Sequence, residues 1–173
     1  LAYGADYDVF REEVKAFIRE HKHRQPQPGD GLQSKALKDW QSALIEHGYH
    51  SRTVPRDYGG YGAEPDIIKS RIISEEFAAE RVHRGFNGQG VTMLTPVLLE
   101  MGTEEQKQTF VAPTIKADII WCQGYSEPGA GSDLASLTTK AELDGEEWVI
   151  NGQKIWTSTA HHADWMFCLV RTE

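Results

Sequence analysis

Apolar residues recur at helical spacing through the first two-thirds of the chain. Val9, Phe10, Val14, Phe17 and Ile18 share one side of a helix that Asp6 or Asp8 would cap and that runs to about Arg19. A polar stretch rich in Pro and Gly, residues 25–31, reads as a linker. A second helix is predicted over 34–46, stopped by Gly48 in the position after the C-cap. A turn-rich loop, 55–62, leads to a third helix over about 65–81, built on Ile67, Ile68, Ile72, Ile73 and Phe77. A fourth covers about 91–101 and ends at Gly102. Thr103 followed by Glu104, Glu105 and Gln106 is a capping-box start for a fifth.

Near Asp118 the period changes from helical to alternating. Residues 119–125 are strand-like, and 138–143 and 147–150 flank Asp144-Gly145, a hairpin signal. Asn151-Gly152 reads as a second tight turn, and 155–157 and 165–170 as further strands. The expected fold class is therefore α+β. An all-α helical domain, 1–117, precedes an antiparallel, barrel-like β domain, 118–173. Helices followed by strands argue against a doubly wound βαβ fold. A strong strand close to Glu173, with nothing after it to cover the sheet, predicts an incomplete sheet and hence part of a longer protein. A start at Leu1 rather than Met predicts a missing upstream segment.

Composition narrows the partners. The 173 residues are 39% hydrophobic and 25% charged, as in ordinary globular proteins. A formal net charge of −8 disfavours nucleic acid or an anionic membrane as a general partner, while leaving room for a local anion site. No apolar run is long enough to cross a bilayer, and no basic and apolar leader opens the chain. Cys122 and Cys168 sit in strand-like runs without metal-ligand spacing. Two buried thiols in a reducing, cytoplasmic compartment are expected, with no metal.

Two segments carry candidate chemistry. In Ser126-Glu-Pro-Gly-Ala-Gly-Ser-Asp133, Gly129 and Gly131 permit positive φ, so that successive N–H groups point at phosphate oxygens, and Ser132 adds a hydroxyl. Glu127 and Asp133 would repel a phosphate and are expected to turn away and bond backbone. In Lys154-Ile-Trp-Thr-Ser158, Trp156 offers an indole to a flat ring, and Thr157 and Ser158 offer edge donors. On the residues alone each segment serves equally as scaffold: a plain strand-to-loop turn, and a half-buried strand tryptophan. His161 and His162, read as neighbours on a strand, point to opposite faces and read as structural or solvated. Glu75 and Glu76 read as a charged helix face. No GxGxxG opens a helix after a strand, and no HExxH or nucleophile elbow is present.

The two segments, Trp121-Cys-Gln-Gly-Tyr-Ser-Glu-Pro-Gly-Ala-Gly-Ser-Asp133 and Asn151-Gly-Gln-Lys-Ile-Trp-Thr-Ser158, resemble the signature segments of acyl-CoA dehydrogenases. Val54-Pro-Arg-Asp-Tyr-Gly-Gly-Tyr-Gly62 and Met101-Gly-Thr-Glu-Glu-Gln-Lys107 resemble family segments in the same order. The resemblance implies a helical domain, a β domain, a C-terminal four-helix domain and FAD between the last two. It implies that Gln123, Gly124, Tyr125 and Ser126 line the flavin and that Gly131 and Ser132 approach the pyrophosphate. Ser132 also borders the acyl-CoA. Trp156, Thr157 and Ser158 flank the ring, with Ser158 where the family often has Thr and Tyr125 where a small aliphatic residue is common. The implied reaction is α,β-dehydrogenation of an acyl-CoA thioester to the trans-2-enoyl-CoA. The electrons pass to an electron-transfer flavoprotein. The proton-abstracting glutamate is expected in the C-terminal domain, so no catalytic residue is named here. Related scaffolds include acyl-CoA oxidases, flavin monooxygenases and non-catalytic partner subunits. A homo- or hetero-oligomer, dimer or tetramer, is implied, in the cytoplasm or, in a eukaryote, the mitochondrial matrix. The Tyr-Ser-Glu-Pro-Gly variant resembles members acting on bulky acyl groups.

Overall fold

Among the described residues five α-helices, with short 3-10 and π turns between some of them, occupy the first part of the chain, and four short strands follow. The computed structural model describes residues 3–172, and the chain divides into two units, Leu1–Asp118 and Ile119–Glu173. Among the described residues no helix is long and apolar enough to cross a membrane.

Helix α1 (Ala5–His21) starts at Gly4, whose φ of 108° suits glycine, and no side chain caps it. Asp6 and Asp8 lie in its first turn instead of at the cap, where their charge still opposes the helix dipole. α2 (Lys35–Glu46) is capped by Ser34, which accepts from the Leu37 N–H, and ends before Gly48 at φ 73°. α3 (Ile67–Ala79) is capped by Asp66, which accepts from the N–H groups of Ile68 and Lys69. The three helices bury Phe10, Val14, Phe17, Ile18, Trp40, Leu44, Ile72, Ile73 and Phe77 together with Val82. The rings of Phe17 and Phe77 stack at 6.3 Å. Two expected core residues are outside it. Val9 is 63% exposed, about 100° round the helix from Phe10, and Ile67 is 86% exposed at the first helical position.

The predicted fourth helix is really two pieces. A π turn, Gly90–Leu94, precedes α4 (Thr95–Met101). Pro96 has no N–H to donate and crowds the carbonyl four residues back, so a regular α turn there would be strained. Buried Thr95 returns its hydroxyl to the Gly90 carbonyl at 3.0 Å. α5 (Glu104–Ile115) opens with the full Thr103–Gln106 capping box. Its Val111 and Ile115 form a second cluster with Ile45 and Val54.

A buried amide ties these helices to the 83–86 loop. Gln41 donates to the Ile115 carbonyl at 2.8 Å and accepts from the Phe86 N–H at 2.8 Å. Trp40 Nε1 donates to the His83 carbonyl at 2.7 Å. Gly85, at φ 78°, leaves room for that amide, since a Cβ there would lie 2.4 Å from Gln41 Oε1.

In the second unit β2 (Lys140–Asp144) and β3 (Glu147–Asn151) form the expected antiparallel hairpin, with Gly145 at φ 65° in its turn. β1 (Trp121–Gly124) pairs with β4 (Trp165–Cys168) in parallel, Trp121 opposite Trp165 and Gly124 opposite Cys168. This pairing departs from the all-antiparallel expectation. The long connection from 125 to 164, which holds the hairpin, gives the chain the length a parallel crossover needs. Residues 155–157 are not a strand, and Asn151 closes β3 without a turn at Gly152. Glycine at 152 answers a close approach, because a Cβ there would sit 2.3 Å from Thr139 Oγ1.

Candidate functional site

β1 delivers Gln123 and Gly124 and then releases the chain at Tyr125 and Ser126. Gly124 is buried against the sulfur atoms of Met166 and Cys168 on β4, which leaves no space for a side chain. Tyr125 meets Phe167 edge-on at 5.7 Å. The next four residues, Glu127 to Ala130, make a tight turn closed by two backbone bonds of 2.8 and 3.1 Å. Pro128 fits the second position of such a turn because its φ is already set.

The second candidate segment is laced to the first. The Ile155 N–H donates to the Ser126 carbonyl at 2.9 Å. Lys154 Nζ donates to the Tyr125 carbonyl at 3.0 Å and to Glu127 Oε1 at 2.9 Å. Both side chains of this ion pair are buried, Lys154 to 8% exposure and Glu127 to 4%. Each Glu127 oxygen accepts two bonds: Oε2 from the Thr138 N–H and hydroxyl, Oε1 from the Thr139 N–H and Lys154. Thr139 first, then Lys154 and the backbone N–H of Thr138, hold the Glu127 carboxyl well below the usual carboxylate range, against its burial. Glu127 is thus an ionised structural strut, unsuited to take a proton.

With Lys154 and Ile155 anchored, Trp156 stands clear. It is 83% exposed and holds φ 57°, a left-handed conformation that costs a non-glycine residue about 1–3 kcal/mol. Its carbonyl accepts from the Ser158 N–H at 3.0 Å. Among the described residues the hydroxyls of Ser126, Ser132, Thr157 and Ser158 bond to no other group of the chain. The region thus presents an exposed indole and four hydroxyls not bonded within the chain.

Several expectations change in this light. Gly129 and Gly131 do not adopt positive φ, so the nest of N–H groups they would permit is not formed by that route. A Cβ at either would meet nothing within 4 Å. Trp156 is an exposed loop residue and not a half-buried strand tryptophan. Glu127 does turn from the loop surface, as expected, but onto the backbone of Thr138 and Thr139. Asp133 is exposed, and the bonds from Ser136 reach its carbonyl oxygen instead of its carboxylate. Cys122 is buried, which pushes its thiol up, whereas Cys168 is partly exposed. His161 and His162 lie in a 3-10 turn with their rings 4.0 Å apart. Glu75 and Glu76 do more than face solvent, because both pair with Arg11. Lys154 carried no role in the sequence reading. The signal was there, a lone lysine in an otherwise apolar and hydroxylic run, opposite a glutamate that had to be neutralised.

The helical residues 5–118 match the family model described as acyl-CoA dehydrogenase, N-terminal domain, and residues 122–173 match the acyl-CoA dehydrogenase, middle domain. The chain belongs to the acyl-CoA dehydrogenase family. It is 38% identical over 97% of its length to acyl-CoA dehydrogenase IpdE1 of Mycobacterium tuberculosis, and the match takes in 45% of that protein. It is 35% identical over 74% of its length to the mitochondrial short-chain specific acyl-CoA dehydrogenase of Bos taurus, covering 31% of that protein. Among solved structures it resembles the ChsE4-ChsE5 complex of Mycobacterium tuberculosis, at 30% identity and a TM-score of 0.71, over 100% of this chain and 44% of that one. The chain therefore spans less than half the length of these family members.

Proposed function

We propose that this acyl-CoA dehydrogenase chain supplies one wall of an FAD site in an enzyme that desaturates an acyl-CoA thioester between its α and β carbons. The observation that carries the reading is the lacing of 125–127 to 154–155, which leaves Trp156 exposed with hydroxyls on both segments. The residues present fit a flavin: an indole for the flat ring, hydroxyls at Ser126, Thr157 and Ser158 for its polar edge, and open space beside Gly129 and Gly131 for a diphosphate. Gln123, Gly124 and Tyr125 form the approach along β1, and Ser132 serves the boundary with the acyl-CoA. When bound, FAD supplies the acceptor for the hydrogen and electron pair leaving the β carbon. The chain's own part is to hold the ring, keep water from its face and present donors where negative charge develops. Pairing Glu127 with Lys154 removes a carboxylate that would otherwise repel a diphosphate. The α proton goes to a carboxylate that we assign to none of the residues here.

We further assign the substrate to the acyl-CoA class with a lean to bulky acyl groups, electron transfer to an electron-transfer flavoprotein, and a cytoplasmic oligomer. A second reading, a partner subunit of a heteromeric enzyme, is favoured by the likeness to the two-component ChsE4-ChsE5 complex. Purified full-length protein, alone and with candidate partner subunits, separates the two. The leading reading expects FAD to co-purify and a broad acyl-CoA panel to reduce a dye acceptor without hydrogen peroxide. A flavin-loaded protein inert to the whole panel would overturn it, and activity only on adding a partner would favour the second. Peroxide production under air would indicate an oxidase.

A further inference from the structure

The helical unit contains a cavity that the flavin reading does not use. It measures about 200 Å³ and is lined by Tyr49, His50, Arg52, Ser70, Ile73, Ser74, Phe77, Arg84 and Asn87 among others. Two arginines, Arg52 and Arg84, line it, and no Asp or Glu does. In a chain of net charge −8, two arginines with no acidic residue beside them concentrate positive charge at this cavity. Arg11 pairs with Glu75 and Glu76, and Arg71 pairs with Glu75. Arg52 and Arg84 have no carboxylate partner among the described residues. Arg84 donates to the Ser74 hydroxyl at 2.8 Å, and Arg52 Nη1 donates to the Gly48 carbonyl at 3.1 Å. Arg52 Nε is buried with no hydrogen-bond partner among the described residues, a donor left unsatisfied at real cost.

The rest of the wall is uncharged in type, apolar and hydroxylic side chains with the His50 imidazole and the Asn87 amide. Ile73 and Phe77 are buried, and the Ser70 and Ser74 hydroxyls donate to the carbonyls of Asp66 and Ser70. Burial, with the charge of Glu13 adding to it, pushes the Tyr49 phenol up to about 12, so it stays neutral and able to donate. We propose that this cavity binds a small carboxylate with a short apolar stem, its head on Arg52 and Arg84 and its stem on Ile73 and Phe77. A planar fork of donors suits a carboxylate. The volume holds roughly six waters at about 30 Å³ each, which matches a short-chain acid. The site lies wholly in the helical unit and does not depend on the proposed activity.

Butyrate is the probe, titrated into the purified full-length protein and followed by ligand-observed saturation-transfer NMR, with butyramide and inorganic phosphate as comparisons. Saturable butyrate binding with a Kd of about 1 mM is expected. Arg84→Gln, on an exposed side chain, should weaken it at least tenfold without changing the melting temperature. Arg52→Gln should do the same but removes packing on Phe10 and Tyr61, so Arg84→Gln is the deciding variant. Absence of saturable binding, equal binding of butyramide or phosphate, or binding indifferent to Arg84→Gln would each overturn the assignment.

Discussion

The two units of the chain differ in how many of their large apolar residues lie inside a core. The helical unit packs a core in which Trp40, Leu44, Ile72, Phe77 and the amide of Gln41 are 0–1% exposed, and leaves Val9, Ile67, Val97 and Met101 outside it. The β unit leaves Leu143, Trp148, Val149, Ile150, Trp156 and Trp165 between 45% and 83% exposed. One unit is a finished framework. The other is held by polar struts, above all Glu127 and Lys154, and offers its aromatic residues outward. Beside the small buried group of Ile120, Trp121, Cys122 and Leu137, hydrogen bonds and an ion pair join the candidate segments of the β unit.

The largest effect that tests this contrast is in the framework. Phe77→Ala should cost about 3–5 kcal/mol in urea unfolding. Trp148→Ala, on the exposed hairpin, should change stability by about 0.5 kcal/mol or less. Comparable losses at both positions would erase the distinction. Next is the strut. Lys154→Met leaves the Glu127 charge buried and uncompensated, and should lower the melting temperature by roughly 10 °C, with Glu127→Gln in the same chain restoring part of it. A neutral outcome for the single variant would show that the pair is not what orders the loops.

Acid should distinguish the units as well. The Glu127 carboxyl is depressed from 4.5 when folded, so its contribution is complete above that value and is lost as pH falls through the lower folded one. In the helical unit His50 is depressed from 6.5 by burial, the Phe86 carbonyl and Asn87 opposing. Below 6.5 the unfolded chain takes the proton first, so stability drops as pH falls from 6.5 through the folded value. Helical-unit unfolding followed from pH 7 to pH 5 should show this decline, and His50→Gln should flatten it. The smallest expected effect is at a cap: Thr103→Ala should cost about 1 kcal/mol through loss of the bond to the Gln106 N–H, read by urea unfolding.

Much of the framework was legible because local rules decided it. Ser34, Gly48, Thr103 with Gln106, and Asp144-Gly145 each act through neighbours a few residues away, and the elements they bound appear where expected. The departures come from interactions that sequence spacing does not encode. The π turn depends on Pro96 meeting a helix already under way, and the parallel pairing of β1 and β4 depends on residues some forty positions apart. At the candidate site the participating segments could be read, because Gly-rich and aromatic-hydroxyl clusters are local. What joins them could not. The Glu127–Lys154 pair joins residues 27 positions apart, and the left-handed backbone at Trp156 has no marker in the local residue types. Single positions such as Val9 and Ile67 were misplaced because an apolar residue one step off a helical stripe looks the same in a list as one on it.

The central claim is that the laced segments 125–127 and 154–158 hold a flavin against Trp156. The direct measurement is the FAD dissociation constant and visible spectrum of the full-length protein beside its Trp156→Ala variant. Removing an exposed side chain should leave the fold intact. The account expects FAD to bind at least tenfold more weakly, with a shifted long-wavelength flavin band. An unchanged affinity and an unchanged spectrum would contradict it.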